Sequence, residues 1–198
     1  MLVCAQIQTA NTEQPMARLV LTSITLVFLS MTLSGCAIVS DDPSHRTPGV
    51  IIDDNVLEGM VEREIRNSDR GYKGSRIIVV SFNGLVLLAG QVPNEELRAK
   101  ASEVTGRLKR VRKVHNELNI GGPISMVART NDSWLTSKVK TRLLASDAVD
   151  GTKMKVQTEN GVVYLMGLTT RAKADAAIEV ASQIYGIQKI VKVFEYLD

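Results

Sequence analysis

Cysteine and histidine are scarce in this chain of 198 residues. It has two cysteines, Cys4 and Cys36, and two histidines, His45 and His115. Both cysteines precede the part of the sequence that is expected to fold, which excludes a disulfide framework and CxxC metal or redox sites there. The histidines show no HxxxH or HExxH spacing, so we predict no metal site and no cofactor.

The chain also has few aromatic residues and only a small excess of positive charge. The chain has one Trp, four Tyr and three Phe, and its net charge is +3, which does not separate a membrane partner from a nucleic acid. The basic run 107–113 lacks aromatic stacking residues, so we interpret it as a solvated helix end and expect no nucleic-acid partner. No carboxylate pair or free thiol is placed for catalysis, and we expect a protein that is not an enzyme.

The N-terminal part has the pattern of an export signal. Arg18 supplies a positive charge, and residues 19–31 form an apolar run that is shorter than the ~20 residues of a comfortable membrane span. The run leads to Leu33-Ser34-Gly35-Cys36, which resembles the lipobox of bacterial lipoproteins. We therefore predict a signal peptide over 1–35, followed by acylation of Cys36, for example with palmitate, and a tether over 36–46.

Residues 1–15 do not fit this signal, because they carry no basic residue. The stretch that does fit begins at Met16, so translation is expected to start there. Ala37 follows the acylated cysteine, and in lipoproteins of this kind an aspartate at that position usually implies retention at the inner membrane. The resemblance therefore implies anchoring at the periplasmic face of the outer membrane.

The rest of the chain repeats itself at an interval of 77 residues. Asn83-Gly84 and Asn160-Gly161 each lie between strand-like runs, and Asn-Gly is the strongest short signal for a β-hairpin because both turn residues need positive φ. A helical pattern precedes and follows each hairpin, and a β-branched segment closes each unit. We predict an α+β fold of two α-β-β-α-β domains, 47–120 and 131–198, joined by a Gly-Gly-Pro linker over 121–130.

The first helix of each domain shows a core stripe of three apolar residues at helical spacing. These residues are Leu57, Val61 and Ile65 in the first domain and Leu135, Val139 and Leu143 in the second. Polar residues just before each stripe are candidate N-caps, namely Asp53 and Asp54, and then Asn131, Asp132 and Ser133. Pro48-Gly49 is interpreted as a turn ahead of the first helix.

The order of these elements, with xVxVxxxNGxVxLxG at its centre, resembles the BON domain, a small bacterial periplasmic module. The second copy carries the resemblance over 155–167 and 186–191, and the first over 83–90 and 111–117. A lipobox followed by two such domains is similar to dual-BON outer-membrane lipoproteins. The resemblance implies two tandem BON domains, each with helices packed on a small three-stranded mixed sheet.

The resemblance also implies a function. It implies binding of anionic phospholipid rather than catalysis, a role in envelope integrity, and a membrane-facing first helix in the second domain. Envelope or division-site proteins are further candidate partners. The alternative that stays open is an envelope adaptor that binds a protein or peptidoglycan partner through the same face.

The spacing of residues along that helix also indicates which face is exposed, without reference to the family. In steps of 100° per residue, Trp134 lies off the core stripe, and Leu144 lies about 80° to its other side. A tryptophan at a polar–apolar boundary suits a lipid interface, and basic side chains can reach phosphates from apolar surface. The predicted phospholipid-binding residues are Trp134, Lys138, Thr141, Arg142, Leu144 and Ala145.

The equivalent helix of the first domain differs on its outer face. It has Val56 and Arg66 at the positions of Trp134 and Leu144, and three glutamates make it acidic: Glu58, Glu62 and Glu64. Anionic lipid would be repelled there, so we expect only the second domain to suit a membrane. A lone tryptophan near a helix start also often packs against a neighbouring domain or loop, and this alternative is open as well.

Overall fold

The computed structural model describes residues 46–198, so the predicted signal peptide, Cys36 and most of the tether lie outside the described residues. The helices and strands of the described part follow in chain order. They are α1 (Pro48–Ser68), β1 (Arg76–Phe82), β2 (Leu85–Val92), α2 (Glu95–Gly106), β3 (Lys113–Ile120), α3 (Met126–Leu144), β4 (Met154–Glu159), β5 (Val162–Thr169), α4 (Arg171–Ser182) and β6 (Lys189–Tyr196). Short 3₁₀-helices at Arg70–Tyr72 and Gly151–Lys153 lead into β1 and β4.

Each repeat forms a small mixed sheet. β1 pairs antiparallel with β2 and β3 pairs parallel with β2, and β4, β5 and β6 repeat this arrangement. The hairpin turn residues Asn83 and Gly84 have φ values of 51° and 74°, and Asn160 and Gly161 have values of 50° and 73°. Asn and Gly adopt positive φ at the lowest steric cost. The predicted α+β fold of two α-β-β-α-β domains is confirmed.

The helices of each repeat cover one face of its sheet. All six stripe residues of α1 and α3 are buried, as the helical spacing predicts. The central strands turn alternate residues toward the same cores, because successive side chains of a strand point to opposite faces. These inward residues are Val86 and Leu88 in β2 and Val163 and Leu165 in β5.

The opposite faces of the two sheets pack against each other. One buried cluster lies between them and contains Phe82, Leu87 and Ala89 from the first repeat and Tyr164, Met166 and Val193 from the second. β2 is buried along its whole length on both faces, which accounts for its continuous apolar sequence. The repeats therefore share a core, and the described residues belong to one compact unit.

Polar contacts at the edge of this shared core fix how the repeats pack. Arg76 Nε donates to a carboxylate oxygen of Glu159 at 2.8 Å, and Gln91 Nε2 donates to the same carboxylate at 3.0 Å. Glu159 is buried, and such a carboxylate is tolerated only when hydrogen-bonded partners compensate its lost hydration. Two further ion pairs cross between the repeats, Lys155–Glu58 and Arg112–Glu195.

Both first helices begin earlier than the sequence indicates. α1 begins at Pro48 and is capped by the side chain of Thr47, and α3 begins at Met126 and is capped by Ser125. The predicted turn at Pro48-Gly49 is wrong, because proline is favoured at the first position of a helix, where its missing N–H forfeits no bond. Residues 126–130, expected to belong to the linker, are part of α3.

The predicted N-caps therefore lie inside the helices, and that prediction is wrong for all five residues: Asp53, Asp54, Asn131, Asp132 and Ser133. Two of them, Asp54 and Asp132, are buried and make different bonds. Each accepts hydrogen bonds from both N–H groups of the Asn-Gly turn in its own repeat. A helix carboxylate thus ties the helix to the hairpin on which it packs.

Candidate functional site

The outer face of α3 carries the residues predicted from the sequence. Trp134 is 53% exposed and Leu144 is 59% exposed, whereas the stripe residue Val139 is fully buried. The structure thus places the large apolar side chains of the predicted surface in solvent. The other predicted residues are also at least partly accessible: Lys138, Thr141, Arg142 and Ala145.

Trp134 and Lys138 contact each other one helical turn apart. The Nζ atom of Lys138 lies 4.4 Å from the centroid of the Trp134 ring. A cation over an aromatic face contributes about 0.5–1 kcal/mol at an exposed site. The contact brings a large apolar surface and a positive charge to the same point of the helix, which is the combination that a lipid headgroup region favours.

Two residues at the start of α3 extend this surface, and neither is among the residues predicted from the sequence. Met126 is 71% exposed and Val127 is 80% exposed. Val127 precedes Trp134 by seven residues, or two turns, so both lie on the same side of the helix. An open depression of about 610 Å³ is lined by Val127, Thr130, Asn131 and Trp134. Ser125, a favoured N-cap residue, was the signal that could have revealed this longer helix.

Asp132 holds α3 in place two residues before Trp134. Its carboxylate accepts from the N–H groups of the Asn160-Gly161 turn at 2.7 and 2.9 Å. The Thr136 hydroxyl, one turn further on, bonds the Thr158 hydroxyl of β4 at 2.8 Å. These bonds attach the helix to the sheet from its inner side. The direction in which Trp134 points is therefore set by the folded framework.

Charge distinguishes α3 from the equivalent helix α1. α3 contains four basic residues and one acidic residue, Asp132, which is a net charge of +3. α1 contains two basic and five acidic residues, which is a net charge of −3. Since Asp132 is buried, all of the accessible charge on α3 is positive. An anionic partner is attracted to α3 and not to α1.

The basic run 107–113, interpreted as a solvated helix end, lies just after α2. Several of its charges are paired with carboxylates of the same chain at the surface: Arg107 with Glu103, Arg110 with Asp53, and Arg112 with Glu195. A phosphate ligand would have to compete with these carboxylates. The run is therefore a weaker candidate for an anion site than the outer face of α3.

The described part of the chain offers few other sites. Within residues 46–198, no group of three or more His, Cys, Asp or Glu side chains is placed to hold a metal ion. In the same range, no helix has both the length and the apolar character that a membrane span needs. Cys36, the predicted lipid attachment site, lies outside the described residues. The outer face of α3 is the candidate site in the described part.

The sequence of this chain matches a known protein family. The BON domain matches residues 53–122 and 131–198, one match for each repeat, which confirms the resemblance seen in the sequence. The chain is 41% identical, over 81% of its length and 82% of the relative, to a Haemophilus influenzae protein named outer membrane lipoprotein DolP. It is 38% identical, over 77% of its length and 78% of the relative, to an Actinobacillus pleuropneumoniae protein named 21 kDa hemolysin.

A solved structure with a likeness to this chain is the C-terminal domain of CdsD, a structural protein of the type III secretion system of Chlamydia trachomatis. The likeness covers 75% of this chain and 98% of that one. The TM-score is 0.31 and the sequence identity is 14%.

Proposed function

This chain belongs to the BON-domain family, and we propose that it is an outer-membrane lipoprotein that binds anionic phospholipid through α3 of its second BON domain and supports envelope integrity. The observation that carries the proposal is the exposed Trp134 ring in contact with the Lys138 ammonium on a helix of net positive charge. The relative named outer membrane lipoprotein DolP supports the location. The function is binding alone, with no bond made or broken.

The anchor would be the lipid on Cys36. Arg46 lies ten residues after Cys36 in the chain, which limits the reach of the tether to about 35 Å when fully extended. A tether of this length keeps the two domains at a high effective concentration beside the membrane. The intrinsic affinity of α3 for lipid can therefore be modest and still produce stable contact.

The geometry of α3 suggests how the contact forms. Trp134 and Leu144 would enter the boundary between headgroups and acyl chains, where an aromatic ring with a polar edge is favoured. The cations beside them, Lys138 and Arg142, would meet lipid phosphates, each contributing about 1 kcal/mol near an anionic surface. The polar backbone stays satisfied because the helix lies in the interface and does not cross the bilayer.

The first domain lacks this combination. Its helix α1 also exposes apolar side chains, including Val56 at the position of Trp134, so apolar exposure alone does not separate the two helices. What differs is the absence of an aromatic residue on α1 and the opposite sign of its charge. We therefore assign lipid binding to the second domain.

The test is co-sedimentation with vesicles. The unlipidated mature chain, starting at Ala37, is mixed with vesicles that contain or lack phosphatidylglycerol. We expect binding that requires the anionic lipid, and a loss of at least about tenfold for Trp134→Glu or Leu144→Glu, because a carboxylate there must lose hydration beside anionic headgroups. Circular dichroism should show that both variants remain folded, since both positions are exposed.

Two matched variants make the result specific. Val56→Glu, at the equivalent position of the first domain, should bind like the wild type. Val139→Glu should unfold the second domain, because that side chain is fully buried. Normal binding by a folded Trp134→Glu variant would contradict the assignment of α3. If the wild-type protein does not co-sediment with the vesicles, the result would favour the adaptor function, in which the same face binds a protein or peptidoglycan.

A further inference from the structure

A second exposed aromatic residue lies in a loop that approaches α3. Tyr185 is 91% exposed, the highest value among the large apolar and aromatic side chains of the described residues. It lies in the loop between α4 and β6, residues 183–188. An aromatic side chain with so little contact to its own protein gains from a partner that covers it.

The loop presents Tyr185 on a fixed backbone. Ile184, directly before it, is 5% exposed, and its N–H donates to the Ala181 carbonyl at 3.1 Å. On the other side, the Gln188 N–H donates to the carbonyl of Gly161 at 2.9 Å. The exposure of Tyr185 therefore follows from the path of a backbone that is bonded at both ends of the loop.

The same loop approaches α3 closely. A Cβ atom added to Gly186 would lie 3.4 Å from the Cδ2 atom of Leu135, the residue that follows Trp134. The bond between Thr136 and Thr158 places one side of α3 against β4. Since α4 packs on β6, at the other end of the sheet, the loop reaches Leu135 from the side of α3 opposite Thr136. Two steps of about 100° along the helix separate Trp134 from Thr136 and place Trp134 on that same side.

The first domain has no aromatic residue at the corresponding position. Lys113 pairs with Leu85 in the first sheet as Lys189 pairs with Val162 in the second, so Lys109 corresponds to Tyr185. The second domain thus differs from the first at two exposed positions, on a helix and on a separate loop, and both changes introduce an aromatic ring.

We infer that Tyr185 is a second membrane anchor, which inserts into the headgroup region of an anionic phospholipid bilayer and fixes the roll of the domain about the axis of α3. The inference rests on the proposed function. Contacts along one helix, such as those of Val127 and Trp134, define a line and leave rotation about it free. A contact from a separate loop removes that freedom, and a tyrosine suits the interface because its ring is apolar and its hydroxyl can stay hydrated.

The direct test places the only tryptophan of the chain at position 185. The variant Trp134→Phe/Tyr185→Trp is bound to phosphatidylglycerol vesicles whose acyl chains carry bromine, which quenches tryptophan at close range. We expect clear quenching at position 185. The matched control is Trp134→Phe/Lys109→Trp, at the corresponding position of the first domain, which should stay unquenched. Co-sedimentation at the same lipid concentration verifies that all of the protein is bound.

A second measurement tests the contribution to affinity. Tyr185→Ser should weaken vesicle binding roughly fivefold, through loss of buried apolar area, with an unchanged unfolding midpoint. If the wild type binds vesicles but position 185 remains unquenched and Tyr185→Ser binds normally, the inference is overturned and the proposed function stands. If the wild type itself does not bind the vesicles, both are overturned.

Discussion

Arg76 of the first BON domain donates from Nε to both carboxylate oxygens of Glu159 in the second, at 2.8 and 3.1 Å. Gln91 donates to the same carboxylate, and its own side-chain carbonyl accepts from the N–H of Ile124 in the linker at 3.3 Å. Both domains therefore meet at one buried carboxylate, and the segment that joins them is bonded to Gln91, one of its partners. This contact gives the packing of the domains a polar specificity that apolar burial alone lacks.

Removal of the Glu159 carboxylate should lower the stability of the folded protein. Glu159→Ala leaves the Arg76 guanidinium without its partner in a partly buried site, and we expect a loss of about 3–5 kcal/mol in the free energy of unfolding. Glu159→Gln should lose less, because it keeps an acceptor. Urea unfolding measures both. Glu179→Ala, on the exposed surface of α4, is the control and should change stability by less than about 0.5 kcal/mol. Equal losses at the two positions would refute the argument.

The isolated domains should be less stable than the whole. The repeat in the sequence predicts that fragments 47–120 and 131–198 fold separately, but each would expose its half of the cluster between the sheets. We expect urea midpoints well below that of the intact protein, because the uncovered apolar surface is hydrated in the fragments. Mixed fragments should associate, as seen by size-exclusion chromatography. Two monomeric fragments as stable as the intact chain would exclude a shared core.

Asp54 should make the free energy of unfolding depend on pH in the acid range. Burial raises the pKa of this carboxyl, but hydrogen bonds from Asn83, Ser81, Gly84 and Arg46 outweigh it, and the net pKa is lowered. Because the folded pKa lies below the unfolded value of about 3.9, the stabilisation is present above that pH and is lost as the pH falls through the folded pKa.

The corresponding experiment is urea unfolding at neutral and acid pH. Asp54→Asn should lower stability at pH 7 and flatten the loss that the wild type shows on acidification, because the amide does not titrate. Asp53→Asn, next to it and exposed, should leave the slope nearly unchanged. An Asp54→Asn variant with the wild-type slope would show that another group is responsible.

Lys138 should contribute to lipid binding through its charge. Lys138→Glu should weaken binding to phosphatidylglycerol vesicles by less than Trp134→Glu does, since it removes a partly hydrated cation and no inserted ring. The difference from the wild type should shrink between about 0.1 M and 1 M salt, where the Debye length falls from ~10 to ~3 Å. A defect that is equally large at both salt concentrations would point to lost ring packing.

Cys36 should be the acylated residue. Cys36→Ala should abolish incorporation of labelled palmitate in cells, because the Leu33-Ser34-Gly35-Cys36 motif offers its thiol to the lipid. The product should remain an uncleaved precursor or leave the membrane fraction. Gel analysis of labelled cells measures both effects. Undiminished labelling of the variant would place the lipid elsewhere.

Local chemistry in the sequence was sufficient for much of the fold and for part of the site. Asn83-Gly84 and Asn160-Gly161 specify their hairpins because few other residue pairs tolerate positive φ at both turn positions. The period of an α-helix separates the buried Val139 from the exposed Trp134 without knowledge of any neighbour. Such features depend on residues close in the chain, and they can therefore be read from spacing alone.

The tertiary structure decided what depends on residues far apart in the chain. Asp132 is a residue type that favours N-caps, but Ser125 caps the helix. Asp132 accepts from the Asn160-Gly161 turn instead, because sheet packing brings that turn beneath the helix. The loop of Tyr185 approaches α3 only because buried Ile184 holds it where Gly186 lies close to Leu135. Glu159 and Arg76 likewise meet only when the two sheets pack face to face. Each pairing is set by long-range burial, which has no signature in local spacing.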